Sequence, residues 1–330
     1  MINFGYARPS TTRSAIDAVN KDSSAQFIAG GTNLVDLMKR GVMKPQKLID
    51  ITRLPLRTIE ETNGLISIGA LALNSDVAEH PLIQEKLPLL SLALQAGASP
   101  QLRNMATVGG NMMQRTRCPY FYDTTMPCNK RQPGSGCSAL KGYNRMHAIL
   151  GASDDCIAVH PSDMCVALAA MDARVVIAGP RPQRRISFTD FHRLPGNTPH
   201  IDNNLRKGEL ILGVEIDDKF SAATGKAAYV KLRDRASYAF ALVSFAAHLS
   251  LTNDMKRIKS AALALGGVAH KPWRLKNVEV FLENQQPSEQ IFEQAAALAM
   301  RGAKGYGHND FKLKMAHNLI VQTLKSVANL

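Results

Sequence analysis

The sequence predicts a mixed helix-and-strand protein of more than one domain, and three observations carry that expectation. At 330 residues the chain exceeds one average domain and suits two or three. Strand-like and helix-like runs alternate along most of its length. The lysine- and glycine-containing stretch DDKFSAATGK (217–226) separates two such series and puts the main boundary near residue 222.

The elements follow in order. A helix is expected over 10–20 and a strand, AQFIAG, over 25–30. After a glycine turn, Leu34, Leu37 and Met38 recur at helical spacing and Gly41 supplies a stop. KLIDIT (47–52) and LISIGALA (65–72) read as strands, and LPLLSLALQAG (87–97) as a buried helix. Residues 115–160 interrupt this order. Regular pattern resumes with a helix over 161–173 and strands over 175–178 and 209–216. Past the linker come strand-like AAYVKL, the long apolar run ASYAFALVSFAAHLSL and strand-like IKSAALALGG, then helices over 288–303 and 311–330. No internal repeat or low-complexity tail is present.

Lys and Arg outnumber Asp and Glu by 40 to 27, a formal charge of +13 that suits an anionic ligand or partner and equally suits a solvated basic surface. The segment MINFGYARPSTTRSAIDAVNK contains no signal-like apolar run, and no stretch is long enough for a membrane span. The expectation is a chain that stays soluble and carries no export signal of its own.

Two glycine turns stand out. Ala29-Gly30-Gly31-Thr32-Asn33-Leu34 lies between a strand and a helix, where glycines admit a close ligand and free amides can meet phosphate oxygens. A tight turn capped by Thr32 or Asn33 would read the same way. Ala106-Thr107-Val108-Gly109-Gly110-Asn111 repeats the pattern, and the pair together suits one extended nucleotide. Gly134-Ser135-Gly136-Cys137-Ser138-Ala139 matches a dinucleotide fingerprint in letters only, since PCNKRQP before it cannot be a buried strand.

Four of the five cysteines, Cys118, Cys128, Cys137 and Cys156, fall within 39 residues of one proline-rich, basic stretch. Four thiols suffice for a zinc ion or an iron–sulfur cluster, but the spacing lacks the close pairs of common metal motifs and leaves free or disulfide-forming thiols open. Prolines and glycines favour an irregular loop around something large, with Arg115, Arg117, Lys130 and Arg131 available to offset thiolate charge. Cys165 lies inside a helical pattern and reads as a core residue.

AGGTNL, ATVGGN, HPSDM, ELILGVEI and GGVAHKPWR, in this order, make the chain resemble the FAD-binding medium subunit of the molybdenum hydroxylases, the xanthine dehydrogenase and aldehyde oxidase family. RTRCPYFYDTTMPCNKR and RDRASYAFALVS are similar to the FAD and iron–sulfur subunits of bacterial periplasmic aldehyde oxidoreductases, which are heterotrimers. The resemblance implies an α+β fold: an FAD-binding domain of PCMH type over 1–222, with subdomains 1–58 and 59–222. It also implies a C-terminal domain over 223–330, built from a three-stranded antiparallel sheet and helices.

It further implies that FAD is held by Gln26, Phe27, Ile28, Ala29, Gly30, Gly31, Thr32, Asn33 and Leu34, by Thr107, Gly110 and Asn111, and by Asp163, Leu212 and Lys231. From the residues alone, Lys231 reads as a surface lysine, Leu212 as core and Asp163 as a helix N-terminal residue. The family's general form has no cysteine loop here. The insertion resembles that of subgroups with a 4Fe–4S cluster, which makes Cys118, Cys128, Cys137 and Cys156 the implied ligands.

By the same resemblance no catalytic residue belongs to this chain. A large molybdenum-cofactor subunit would oxidise aldehyde, a small subunit with two 2Fe–2S clusters would relay electrons, and this chain's FAD would pass them to oxygen, a quinone or another external acceptor. The resemblance points to the periplasm, reached with a signal-bearing partner. The competing readings are a zinc-stabilised basic binding module, for which no nucleic-acid motif is visible, and a stand-alone flavin dehydrogenase.

Overall fold

Short apolar runs at the start of the chain become a small parallel sheet. The computed structural model describes residues 1–221 and 223–330, so the expected boundary at residue 222 lies outside the described residues. Strands β1 (Gly5–Ala7), β2 (Ala25–Ile28) and β3 (Lys47–Asp50) pair in the order β1-β3-β2, with helix Thr12–Lys21 crossing over between the first two. Thr11 starts that helix with a capping box shared with Ser14.

A second sheet is antiparallel and five-stranded. It contains β4 (Ile59–Thr62), β5 (Leu65–Gly69), β6 (Arg174–Ala178), β7 (Arg184–Ser187) and β8 (Leu210–Asp217) in the order β4-β5-β8-β6-β7. Its edges, IEET and RRIS, escape sequence pattern because edge strands are short and charged, which keeps them from pairing with other chains.

The third sheet holds β9 (Lys226–Leu232), β10 (Val243–Leu251), β11 (Ile258–Gly266) and β12 (Trp273–Arg274) in the antiparallel order β12-β11-β10-β9. The expectation of three strands is corrected to four. Trp273 and Arg274 pair with Leu265 and Ala264, a two-residue strand beside Pro272 with too few positions to show a period. Helices Lys276–Leu282, Glu289–Ala299 and Phe311–Ala328 cover one face around Phe245, Phe292 and Ile320. No helix among the described residues is long and apolar enough to cross a membrane.

The other face of this sheet packs on helix Asp163–Ala170, all eight residues of which are buried. A helix apolar all round needs partners on every side. Here the second and third sheets supply them, through Val175 and Val214 on one side and Ala246, Ala262 and Ala264 on the other. At Gly266 a side chain would meet Val166 Cγ2 at 2.5 Å, so glycine sets how closely sheet and helix approach. Arg274 locks the same junction: its Nε lies 2.5 Å from Glu279 Oε1 and its Nη1 donates to the carbonyls of Ala169 and Ala170. Both side chains of this pair are nearly sealed from solvent. Arg274→Met therefore strands a buried carboxylate and should cost about 3–5 kcal/mol, read as a lowered urea midpoint with an unchanged slope.

Candidate functional site

β2 runs directly into the first glycine turn, where Gly31 takes a φ of +72°. Gly30 is fixed by space: a Cβ there would lie 1.8 Å from the Met105 carbonyl oxygen. The two glycine turns thus abut, backbone against backbone. The second opens helix Val108–Met112, whose Thr107 cap accepts the Gly110 amide at 3.2 Å, and Gly109 N donates to Ala70 O at 2.8 Å.

Together the turns wall a cleft of about 820 Å³, closed on the far side by residues 200–203 and 205–211. That is a size suited to a cofactor. Gln26 to Leu34, Thr107 and Gly110 all line it. Asn33 brings an unpaired donor to this wall: its Oδ1 accepts the Arg115 amide at 2.8 Å, while its buried Nδ2 has no partner. A donor left unpaired in such a wall costs stability unless a ligand accepts from it. Turn, cleft and orphan donor fit the phosphate-bearing part of a flavin nucleotide.

The remaining expected contacts stand apart from the cleft walls. Asn111 Oδ1 accepts from Ser162 Oγ at 2.7 Å, joining the second turn to the HPSDM segment. Asp163 faces a separate cavity of about 100 Å³. Lys231 is no surface lysine: its Nζ is 2.8 Å from Asp163 Oδ2 and 3.0 Å from the Ala96 carbonyl, and its side chain is 3% exposed. Burial pushes the Asp163 carboxyl up, against the pull of Lys231 and the Tyr229 hydroxyl at 2.6 Å. Leu212 is half-buried in β8, its carbonyl taken by Ala70 N at 2.8 Å.

The cysteine loop is irregular apart from one helical turn, Pro119–Tyr122, that begins just after Cys118. Cys128 and Cys137 face each other across an isolated antiparallel bridge, and Cys156 bridges Ser153. All four thiols line one small cavity floored by Tyr120 and Phe121. Burial pushes the Cys118 thiol up to about 12 and the Cys156 thiol up to about 11. His147 Nε2 lies 3.1 Å from Cys118 Sγ. Cys165 is elsewhere, fully buried in helix Asp163–Ala170.

Zinc would draw four thiolates to within about 3.8 Å of one another, given Zn–S bonds of about 2.3 Å. Among the described residues, only His160, Cys165 and His192 bring three ligand-type atoms within 4.8 Å of each other. No three of the four loop thiols lie within 4.8 Å of one another. His192 Nε2 donates to the Met112 carbonyl at 2.8 Å, leaving Nδ1 an acceptor, while His160 Nδ1 accepts the Ser162 amide at 3.4 Å, leaving an Nε2–H donor. The two ring centroids are 4.3 Å apart, and His160 Nε2 and His192 Nδ1 are both buried without a hydrogen-bond partner.

Lys130, expected to balance thiolate charge, instead points into a buried cluster. Its ammonium pairs with Asp202, donates to the Pro199 carbonyl at 2.9 Å and meets His270 Nε2 at 2.8 Å. Arg115 Nε reaches the same carboxylate at 2.8 Å. Burial alone would push the Asp202 carboxyl up, but Lys130 and Arg115 hold it well below the usual range. Asp202 and His147 carried no sequence signal, since each is a lone polar residue in irregular chain.

The family described as the FAD binding domain in molybdopterin dehydrogenase matches residues 2–217, and that of the CO dehydrogenase flavoprotein C-terminal domain matches residues 227–327. The chain belongs to this family of molybdenum hydroxylase flavoproteins. It is 47% identical to the aldehyde oxidoreductase FAD-binding subunit PaoB of Escherichia coli K12 over 97% of both chains. It is 29% identical to the glyceraldehyde dehydrogenase medium chain of Sulfolobus acidocaldarius over 84% of this chain and 79% of that one. The solved carbon monoxide dehydrogenase of Hydrogenophaga pseudoflava superposes with a TM-score of 0.77 at 25% identity, over 99% of this chain and 98% of that one. This flavoprotein is thus a subunit type of an oxidoreductase family, and its double-glycine cleft lies within the range matched by the FAD-binding family model.

Two outcomes test the site. Gly30→Ala must push the two turns apart, so the flavoprotein should purify with its flavin lost, measured as the ratio of 450 nm to 280 nm absorbance. Burial holds His192 and His270 down to about 4, so the unfolded chain binds more protons than the native one between about 6.5 and 4. Stability should be full above pH 6.5 and fall toward pH 4 by up to about 1.4 kcal/mol per unit for each histidine, seen as a falling melting temperature.

Proposed function

We propose that this flavoprotein is the FAD-binding electron-exit subunit of a molybdenum-dependent aldehyde oxidoreductase. The observation that carries the reading is the paired-glycine cleft with its unpartnered Asn33 donor, in a chain 47% identical along its length to an aldehyde oxidoreductase subunit. FAD, when bound, accepts electrons singly and releases them in pairs. The chain's own residues bind and orient it. Gly30, Gly31 and Gly110 would let the backbone reach the phosphates, Asn33 would donate to them, and Asn111, Asp163 and Lys231, beyond the cleft walls, would supply a polar network at the end of the second turn. Leu212 shapes the sheet floor.

The second cofactor in this reading is a 4Fe–4S cluster held by Cys118, Cys128, Cys137 and Cys156. Its support is that all four thiols line one small cavity of about 10 Å³, and that no three of them lie within 4.8 Å of one another. Aldehyde oxidation belongs, in this reading, to a large molybdenum-cofactor subunit, with a small 2Fe–2S subunit between. The final acceptor is external, and the periplasm is the proposed compartment, reached with a signal-bearing partner.

Iron and flavin content of single Cys→Ser variants tests the assignment. Substitution at Cys118, Cys128, Cys137 or Cys156 should abolish the broad iron–sulfur absorbance while flavin bands persist. Cys165→Ser should keep both. A colourless protein, or one whose zinc content follows the loop cysteines, overturns the reading.

A further inference from the structure

Of the four thiols around the cavity, two stand in a relation the others lack. Cys128 and Cys137 are directly opposed in an antiparallel bridge. The flanking backbone bonds run from Asn129 N to Gly136 O at 2.7 Å and from Ser138 N to Pro127 O at 3.2 Å, so the cysteines themselves exchange none. Such a non-hydrogen-bonded pair sets its Cα atoms about 4.5 Å apart with both side chains on one face. Disulfides span Cα separations of about 4.4–6.8 Å, a range that includes pairs of this kind.

The hairpin between them is already closed. Gly134 and Gly136 take φ values of +82° and +97°, and the Ser135 hydroxyl accepts the Cys128 amide at 3.0 Å. The other thiols are worse placed to react. Cys118 is engaged by His147, and Cys156 bridges Ser153, not another cysteine. Cys165 is sealed in the core.

We propose that Cys128 and Cys137 form a modification site: in the chain without a bound metal group they close a cross-strand disulfide, which must be reduced before the four thiols can act together as ligands. The second clause rests on the cluster reading above. The oxidant is a low-molecular-weight disulfide such as oxidised glutathione. The thiolate of half-buried Cys137 attacks it, its S–S bond breaks and one glutathione thiolate leaves. The Cys128 thiolate then attacks the Cys137 sulfur of the mixed disulfide and expels the second. Two protein thiols are oxidised, one glutathione disulfide becomes two thiols, and the two protons end on glutathione. A small dithiol reverses the reaction.

The full-length chain, depleted of iron, is incubated with oxidised glutathione and digested without reduction. Titratable thiols should fall from five to three, with a crosslink joining the Cys128 and Cys137 peptides. Cys128→Ser should instead leave glutathione on Cys137. Retention of all five thiols, or a crosslink through Cys118, Cys156 or Cys165, overturns the site. Iron and sulfide are then offered without air to the oxidised chain, with and without dithiothreitol. Uptake that requires dithiothreitol supports the gate, and equal uptake in both arms overturns it. A fully reduced chain that takes up no iron sinks the cluster reading, while the crosslink result stands on its own.

Discussion

The Asp202 carboxylate joins three parts of this molecule that are far apart in sequence. Lys130 reaches it from the cysteine loop, and Arg115 reaches it from the segment following the second glycine turn. His270, on the segment leading to β12, closes over the lysine. Arg115 also gives its amide to Asn33, so the chain of contacts runs from the cysteine loop into the first glycine turn. Two cations around one half-buried anion offset the cost of taking charge out of water, and that balance holds only if all the elements arrive together.

A second constraint is the helix Asp163–Ala170, which has no exposed face. It is the shared core of the second and third sheets, so the C-terminal domain is packed onto the flavin domain and not merely linked to it. The polar groups at its N-terminal end gain from this burial. Ser162 is tied to Asn111, and Asp163 to Lys231 and Tyr229, in a region too dry for loose side chains. Lys231 comes from β9 and Tyr229 from the same strand, so this part of the site is assembled across the domain boundary.

The irregular loop is fixed by the same logic. Buried Lys312, on the long C-terminal helix, donates to the carbonyls of His147 and Gly267 at 3.0 and 2.9 Å, and burial pushes its ammonium down to about 7. Asn309 takes the carbonyls of His147 and Ala148. A loop without ladder bonds still has to satisfy its backbone, and here the C-terminal domain does so. His147 is thereby held beside Cys118.

Local pattern was enough for the glycine turns, the four-thiol loop, Cys165 as core, and nearly every strand and helix with a clear period. These are properties of adjacent residues: glycine permits the turn, and periodic apolar side chains choose helix or strand. Edge strands IEET and RRIS and the two-residue β12 were not legible, because short polar segments become strands only when a neighbour offers its ladder. Lys231 looked like a surface residue and proved buried, since its partner Asp163 lies 68 positions away. The tertiary structure alone decided that Asp202 would hold the loop, the cleft and the C-terminal domain together. Pairing between distant charges depends on where the folded chain puts them, and no local period encodes that.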